Sequence, residues 1–389
     1  MDGAKFAKML SDKHLFELDR MEYKYSVSSV NEFTELLRQN FAQSLPLVDF
    51  SSDELFYLPN LARISTNGMK QLLSAPASNQ SFGLQAMTEE IHATFQIESI
   101  HSSRNSIRHI LNGYAPRNEE ESRIYGMKRG LDFIADRQNT ITEENLHQLY
   151  QISTGDYPPD EDRLLPDHFY RHDVVYVVDG KESREGLPAQ QLPDAMKRLV
   201  DFANAKDGIN ELHKAAILHF AFAYYHPYFD GNGRTARLLH LWYLVQQGYP
   251  AALFTPFSRY IAESKAAYYK AYDRVEKNAL ISGYTDVTPF LSYFCNEVYN
   301  RLQVDAAPPQ ADLQVYQTAL AEGKITEKER LLWEYVLSAY GTEEFTTKQL
   351  EKDFRNAAYA TIRTFVMKFH EMELLVARKT GNRVFYKVK

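Results

Sequence analysis

The sequence predicts a mainly α-helical protein with one β-hairpin and a small C-terminal unit of three helices and two strands. Apolar residues recur at helical spacing over most of the chain, most clearly at 215–225 and 235–247. The β-branched and aromatic run Val174–Val178 precedes Asp179-Gly180, a strong hairpin turn signal. Helical patterns at 327–340, 347–354 and 357–373 precede two short strands around residues 379–382, an order typical of a winged helix-turn-helix.

Composition is that of an ordinary globular protein. The 389 residues are 44% hydrophobic and 24% charged, which suits two or three domains. We see no secretion signal and no apolar run that could span a bilayer, and Cys295, the single cysteine, cannot form an internal disulfide. Its apolar helical context predicts a buried thiol. We therefore expect a cytoplasmic protein without membrane contact, and the net charge of −7 argues against broad nucleic-acid affinity of the whole chain.

The dozen residues 226–237, His-Pro-Tyr-Phe-Asp-Gly-Asn-Gly-Arg-Thr-Ala-Arg, join the two clearest helical patterns. The first helix should end at His226, because a residue before proline is pushed out of the α region. Gly231, Asn232 and Gly233 allow backbone N–H groups to converge at the start of the next helix. Such a nest at a helix N-terminus favours phosphate.

The charged residues of this stretch predict phosphoryl or nucleotidyl transfer. Arg234 and Arg237 are spaced i, i+3 and share one helix face, and two guanidinium groups beside a phosphate site indicate a polyphosphate. Asp230 is a hard oxygen ligand that can hold Mg²⁺ between phosphates. His226 is the only nearby side chain that accepts a proton near neutral pH.

The same stretch resembles the signature of Fic-domain proteins, HPFx(D/E)GNGRxxR. Only Tyr228 departs, standing where phenylalanine is usual, and we expect its ring to pack inward. The alternative is a glycine-rich helical corner with an incidental histidine. The resemblance implies a Fic helical core that uses ATP and Mg²⁺ to transfer AMP to a protein hydroxyl. It makes His226 catalytic and Asp230 the metal ligand, with nucleotide contacts from Asp230, Gly231, Asn232, Gly233, Arg234 and Arg237.

A second motif lies upstream, in a helical pattern over 87–111. Thr94-Phe95-Gln96-Ile97-Glu98-Ser99 resembles the inhibitory motif (S/T)xxxE(G/N) of many Fic proteins, with Ser99 in place of glycine or asparagine. The resemblance implies that Glu98 pairs with Arg237 and keeps the γ-phosphate from its productive position. The alternative is a solvated glutamate on a helix face.

Two further segments resemble parts of Fic proteins. The hairpin between Arg171 and about Gln190 resembles the flap that docks a target's backbone as an added strand; the alternative is a purely structural hairpin. Tyr268 and Tyr269, in a helix predicted at 264–277, resemble a tyrosine pair near the nucleotide's base and ribose. Glu276 stands where those relatives place asparagine, and the alternative is a pair of core aromatics.

We divide the chain into an N-terminal helical region with the inhibitory motif (1–112), a Fic core (113–304), a linker (305–325) and a winged helix (326–389). From Phe345 onward ten Lys and Arg face four Asp and Glu, which suits either DNA or protein docking. Two functional alternatives stay open: transfer or removal of another phosphate-containing group, and a nucleotide-sensing DNA-binding regulator. A target protein on the flap, modification of the protein itself and a homodimer are the expected partnerships.

Overall fold

The computed structural model describes residues 1–64, 83–155, 163–179, 182–302, 316, 318–340, 344–381 and 383–389. The helices in this part of the chain are α1 Gly3–Leu10, α2 Leu18–Tyr25, α3 Val27–Phe41, α4 Gly83–Ile97, α5 Arg104–Leu111, α6 Glu119–Ala135, α7 Glu143–Tyr150, α8 Leu192–Asn204, α9 Glu211–Tyr225, α10 Asn232–Gln246, α11 Phe257–Glu263, α12 Lys265–Ser282, α13 Thr288–Tyr293, α14 Glu327–Ala339, α15 Thr347–Phe354 and α16 Tyr359–Glu371. The strands are β1 Gln43–Val48, β2 Glu54–Tyr57, β3 Tyr176–Asp179, β4 Glu182–Glu185, β5 Leu375–Thr380 and β6 Arg383–Val388.

Polar side chains before the helices account for several helix starts. The side chains of Asn118 and Thr142 each accept a hydrogen bond from the backbone N–H three residues further on. Thr326 and Glu329 form a reciprocal capping box at the start of α14. These local signals explain why the helical parts of the chain follow the sequence pattern closely.

The strands form three separate antiparallel pairs, β1 with β2, β3 with β4 and β5 with β6. The β3–β4 pair is the predicted hairpin, with Tyr176 opposite Glu185 and Asp179 opposite Glu182. The sequence did not reveal β1–β2. In that pair the register shifts between Ser44 and Val48, around Pro46, since a proline cannot donate to the ladder.

The predicted helix over 87–111 is wrong as a single element. The chain forms α4 and α5, separated by Ser99, whose φ of 59° is left-handed, and by Ser103, whose hydroxyl accepts from the N–H of Ser106 at 3.0 Å. Apolar spacing alone could not reveal the break, because the helical stripe continues on both sides of it. Helix α13 is likewise followed by a separate π-helical turn over Phe294–Asn300.

Buried apolar side chains of the described residues form three clusters. The largest is centred on α9 and α10, which bury almost their whole length against each other and against the surrounding helices. It includes apolar residues of α4 and α5, so packing is continuous across the predicted boundary at residue 112. Cys295 is buried there as expected, and burial raises the pKa of its thiol to about 12. A small cluster joins α1–α3, and a third fills the C-terminal unit.

The C-terminal unit has the predicted order of three helices and two strands, while its assignment as a winged helix stays a prediction. It meets the rest of the chain through α14, which packs against α4. Tyr335 donates a hydrogen bond to Asn112 at 3.2 Å, and the Arg355 guanidinium lies 3.1 Å from the ring centre of Tyr114. The linker predicted at 305–325 falls mostly outside the described residues; 318–321 are helical.

None of the helices just described is both long and apolar enough to cross a membrane.

Candidate active site

The loop between α9 and α10 is held in an unusual conformation at its first residue. Helix α9 ends at Tyr225, and His226 follows with φ 55° and ψ 59° in the left-handed region. The sequence placed the helix end correctly but favoured an extended residue before Pro227. His226 is left-handed instead, so α9 ends at this residue and the chain turns into the loop that leads to α10.

The His226 side chain is half-buried and oriented by its own helix. Its Nδ1 lies 3.3 Å from the carbonyl oxygen of Ala223. When Nδ1 carries the proton and donates to that carbonyl, the imidazole lone pair is on Nε2. His226 in this form is suited to accept a proton through Nε2.

Two glycines of the loop permit contacts that no other residue would allow. Gly231 has a φ of 76°, and a Cβ there would overlap the buried side chain of Thr154. A Cβ on Gly233 would lie 2.7 Å from Glu98 Oε1. The first turn of α10 is therefore open to the close approach of an anion, as the sequence predicted.

The Asn232 side chain is bonded within the loop. It is buried, accepts a hydrogen bond from the Tyr228 N–H at 2.9 Å and donates to the Tyr228 carbonyl at 2.7 Å. These bonds fix the shape of the turn that leads into α10. The contact of Asn232 with a nucleotide stays a prediction.

Tyr228 packs inward as expected. Its ring stacks on Tyr150 with 3.6 Å between the ring centres and is fully buried. Burial raises the pKa of its hydroxyl well above the ordinary value. Among the described residues this hydroxyl has no hydrogen-bond partner, which distinguishes it from the phenylalanine that is usual at this position.

Glu98 contacts both arginines of the loop. The expected pair with Arg237 is present, and Glu98 Oε2 also accepts a hydrogen bond from Arg234 Nε at 2.7 Å. Arg237 donates to the hydroxyl of Thr94 and, at 3.3 Å, to its carbonyl. The first residue of the upstream motif therefore anchors Arg237 to α4. The additional contact with Arg234 was not predicted.

The charges in this cluster compensate one another. Both guanidinium groups are buried, and a buried charge requires a partner. Burial disfavours the charge of Arg234, yet the nearby carboxylates of Glu98 and Asp230 together hold its pKa above the ordinary value. Removal of Glu98 would leave Arg237 buried without its carboxylate partner, so these side chains would then attract another anion.

Asp230 offers one accessible carboxylate, which suits a metal ion that phosphates also coordinate. Its Oδ1 accepts from the Gly231 N–H at 2.6 Å and its Oδ2 from Arg234 at 2.8 Å, while 54% of the side chain remains exposed. Nowhere in the described ranges do three His, Cys, Asp or Glu residues gather as a metal site. A single accessible carboxylate fits Mg²⁺ that arrives with phosphates, since this ion commonly takes one or two carboxylates.

The β3–β4 hairpin stands beside His226. The Gly186 N–H donates to the Val175 carbonyl at 2.9 Å and so closes the open end of the hairpin. The Leu187 N–H donates to the Tyr225 carbonyl at 3.2 Å and so joins the hairpin to the end of α9. Val174 and Tyr176 on its first side are 52% and 60% exposed. Apolar side chains and strand edges in such a position are suited to an extended polypeptide.

The two tyrosines assigned to the nucleotide differ in their surroundings. Tyr268 is a core residue whose hydroxyl hydrogen-bonds His219 Nε2 at 2.9 Å, as the core alternative expects. Tyr269 is half-buried and donates to the carbonyl of Ile97, 3.4 Å away at the end of α4 and next to Glu98. The contact of either side chain with a nucleotide stays a prediction.

Sequence reasoning missed Arg171 and Thr154. Thr154 fills the space beneath Gly231, and Arg171 is buried between the hairpin and the loop. Neither belongs to a recognisable motif, because their contacts with the loop arise only when distant segments fold together.

A histidine precedes a glycine-rich helix start, two buried arginines lie on that helix, and a hairpin stands beside them, an arrangement suited to binding a polyphosphate. Residues 140–244 match the model of the Fic/DOC family, so the chain is similar to that family over this segment.

Named relatives are similar to part of the chain. "Protein adenylyltransferase fic-1" of Caenorhabditis elegans is 25% identical over 45% of this chain and 31% of its own length. "Protein adenylyltransferase Fic" of Drosophila willistoni is 28% identical over 35% of this chain and 26% of its own length. The chain thus spans about a third of these relatives. A Fic family protein from Desulfovibrio desulfuricans shares the fold, with a TM-score of 0.52, 17% identity and coverage of 85% of this chain and 95% of that chain.

Proposed function

We propose that the protein is an adenylyltransferase that moves AMP from ATP to a Ser, Thr or Tyr hydroxyl of a protein. The observation that carries this proposal is the pair of buried arginines at the N-terminus of α10, directly after a histidine suited to accept a proton. The relatives that are protein adenylyltransferases support AMP as the transferred group.

In this reaction a target segment lies along the β3–β4 hairpin, and its hydroxyl oxygen attacks the α-phosphorus of ATP. His226 Nε2 takes the hydroxyl proton as the new oxygen–phosphorus bond forms. The bond from the α-phosphorus to the bridging oxygen breaks, and pyrophosphate leaves. Arg234, Arg237 and the N–H groups of the first turn of α10 stabilise the charge on the departing phosphates.

Asp230 is the residue that would hold Mg²⁺. The ion would supply positive charge to the pyrophosphate as it leaves, a contribution that the two arginines alone only partly make. The exposed fraction of Asp230 leaves room for a metal that enters with ATP.

We infer that the protein rests in an inhibited state. Glu98 occupies both arginines that the γ-phosphate end of ATP would need. A phosphate and the carboxylate cannot bind the same donors together, so productive binding of ATP requires Glu98 to leave. Replacement of Glu98 by glycine should therefore open the site.

Labelled ATP and Mg²⁺, with a cell lysate as the source of targets, test both statements. We expect Glu98→Gly to label itself or lysate proteins at least about tenfold more strongly than the wild type, because a competing anion bound to buried donors is worth more than about 1.4 kcal/mol. Gln96→Gly is the matched control, since it places glycine at an exposed position of the same helix. Adding His226→Ala to Glu98→Gly should abolish labelling.

The possible outcomes separate the claims. No labelling by either wild type or Glu98→Gly would overturn the transferase proposal, and equal labelling by the two would remove the inhibitory role of Glu98. A panel of other labelled nucleotides, and a substrate that already carries AMP, would reveal transfer of another group or removal of AMP.

A second candidate function is suggested by the C-terminal unit. Six of its cations are exposed and form no ion pair within the described part of the chain: Lys348, Lys352, Arg363, Lys379, Arg383 and Lys387. Such a surface suits the phosphates of duplex DNA. Fluorescence anisotropy of a labelled duplex should show binding that weakens steeply from about 50 to 200 mM salt, and Arg363→Ala combined with Arg383→Ala should reduce the salt dependence. Binding that salt does not affect would favour a protein partner.

A further inference from the structure

Arg171 is buried at the junction of the hairpin and the catalytic loop. Only 2% of its surface is exposed, yet it forms no ion pair with a carboxylate of the described residues. Its charge is satisfied by backbone carbonyls instead, and burial lowers the pKa of the guanidinium. The planar guanidinium can direct its donors at several acceptors in fixed directions at once.

The three carbonyls belong to three different parts of the site. Arg171 Nε donates to the carbonyl of His226 at 2.8 Å, and Nη1 donates to Asp173 at 2.6 Å at the start of the hairpin. Nη2 donates to Leu187, where the hairpin ends. One rigid group thus joins the catalytic residue to both ends of the hairpin.

The backbone reinforces the same junction. The Arg171 N–H donates to the Pro227 carbonyl at 2.9 Å. A Cβ on Gly186 would lie 2.9 Å from Arg171 Nη2 and 3.3 Å from the Cβ of His226, so glycine is needed for the hairpin to come this close. His226 itself is in the left-handed conformation, which costs roughly 1–3 kcal/mol for a residue with a side chain and persists only where neighbours enforce it.

We propose that Arg171 is a positioning residue that fixes the strained His226 peptide to the hairpin, so that the general base and the bound target keep one geometry. This role rests on the proposed transfer reaction, in which the hydroxyl is presented by the hairpin. The donors of Arg171 are directed at backbone carbonyls, and its proposed role requires no contact with ATP or with the reacting atoms. Its loss should therefore slow transfer while nucleotide binding is retained.

Steady-state kinetics in the full-length Glu98→Gly protein test this. Arg171→Lys keeps the positive charge but cannot donate to three carbonyls in fixed directions. We expect its kcat to fall about 100-fold, the effect of a misplacement of about 1 Å, while the KM for ATP changes less than about threefold. Gly186→Ala keeps the Arg171 residue but displaces its guanidinium, so it should show the same split between kcat and KM. Arg198→Lys, at an exposed ion pair on α8, is the matched control.

Hydrogen exchange provides a readout that does not depend on activity. Amides of residues 173–179 and 182–187 should exchange at least about tenfold faster in Arg171→Lys than in Arg198→Lys, and the exchange of α10 should not change. A kcat within twofold of the parent, or a parallel loss of kcat and ATP affinity, would overturn the positioning role. If Glu98→Gly transfers nothing, the proposed transfer reaction is wrong, whatever Arg171 does. Unchanged hydrogen exchange in Arg171→Lys would show separately that Arg171 does not hold the hairpin to the loop.

Discussion

At the scale of single residues, Ser99 shows how a small departure from a motif affects the energy of the site. Its φ of 59° lies in the left-handed region, where glycine is free of strain and asparagine is tolerated. The usual Gly or Asn at this position therefore has a backbone reason. Ser99 is accommodated with a contact from Lys265 Nζ to its hydroxyl at 3.3 Å.

We expect Ser99→Gly to stabilise the protein by about 0.5–1 kcal/mol, because relief of the left-handed strain exceeds the entropy that glycine adds to the unfolded chain. The end of α4 would then hold Glu98 more firmly. Calorimetric binding of ATP should weaken, and thermal unfolding should move to higher temperature. Ser99→Ala, which keeps a Cβ, should show neither effect. Tighter ATP binding by Ser99→Gly would contradict this account.

The residues that the sequence could assign are those whose chemistry is local. His226, Asp230, Arg234 and Arg237 lie within twelve consecutive positions, so their meeting at one helix start follows from the chain itself. The burial of Tyr268 could not be told from the sequence, because a helical stripe of aromatic residues does not reveal which neighbours cover it. Arg171 was beyond reach for a related reason, since its carbonyl partners are 2, 16 and 55 positions away.

At the scale of elements, the sequence predicted helices well and the junctions between them less well. Helical periodicity runs through residues 98–103, where the chain in fact turns, and a proline within β1 concealed a strand. Such junctions depend on contacts between segments. The link from β2 to α13 is an example: Val287 N–H donates to the Phe56 carbonyl at 2.9 Å, and Asp286 accepts from the N–H of Thr288 at 2.9 Å.

Asp286 should make this junction sensitive to pH. Asp286 is half-buried, and the partial loss of contact with water raises the pKa of its carboxyl group from 3.8 to about 6. The folded state therefore prefers the protonated acid. This contribution to stability is complete below about pH 4 and is lost as the pH rises through about 6, for a total of about 3 kcal/mol.

Asp286→Asn should remove that dependence, because the amide keeps an acceptor for Thr288 and cannot ionise. We expect the variant to gain stability relative to the wild type by up to about 3 kcal/mol between pH 4 and pH 7.5, as measured by urea unfolding at each pH. Asp19→Asn, at an exposed position of α2, should follow the wild type. A constant difference between Asp286→Asn and the wild type at every pH would show that Asp286 titrates normally.

At the scale of the whole molecule, the described residues hold separate cores with few links between the last core and the others. The C-terminal cluster and the large central cluster share no buried apolar residue. They meet through α14 on α4, the Tyr335–Asn112 hydrogen bond and cation–aromatic contacts such as Arg355 on Tyr114. Contacts between such partly or fully exposed polar side chains contribute little to stability. The C-terminal unit should therefore unfold by itself.

The two tryptophans of the chain report on the two cores separately. Trp242 is buried in the central cluster and Trp333 in the C-terminal one. In Trp242→Phe the fluorescence follows the C-terminal unit, and in Trp333→Phe it follows the central core. We expect the Trp333 signal to change at a lower urea concentration, because a unit of about 60 residues buries a smaller share of its surface and is stabilised by only about 3–6 kcal/mol. Circular dichroism of the wild type should show the two unfolding steps as well. That result would exclude the tryptophan substitutions as the cause of the two midpoints. The alternative outcome is a single step in circular dichroism, with the same midpoint from both tryptophans. It would mean that the contact of α14 with α4 is strong. The C-terminal unit would then directly support α4, the helix that Glu98 follows.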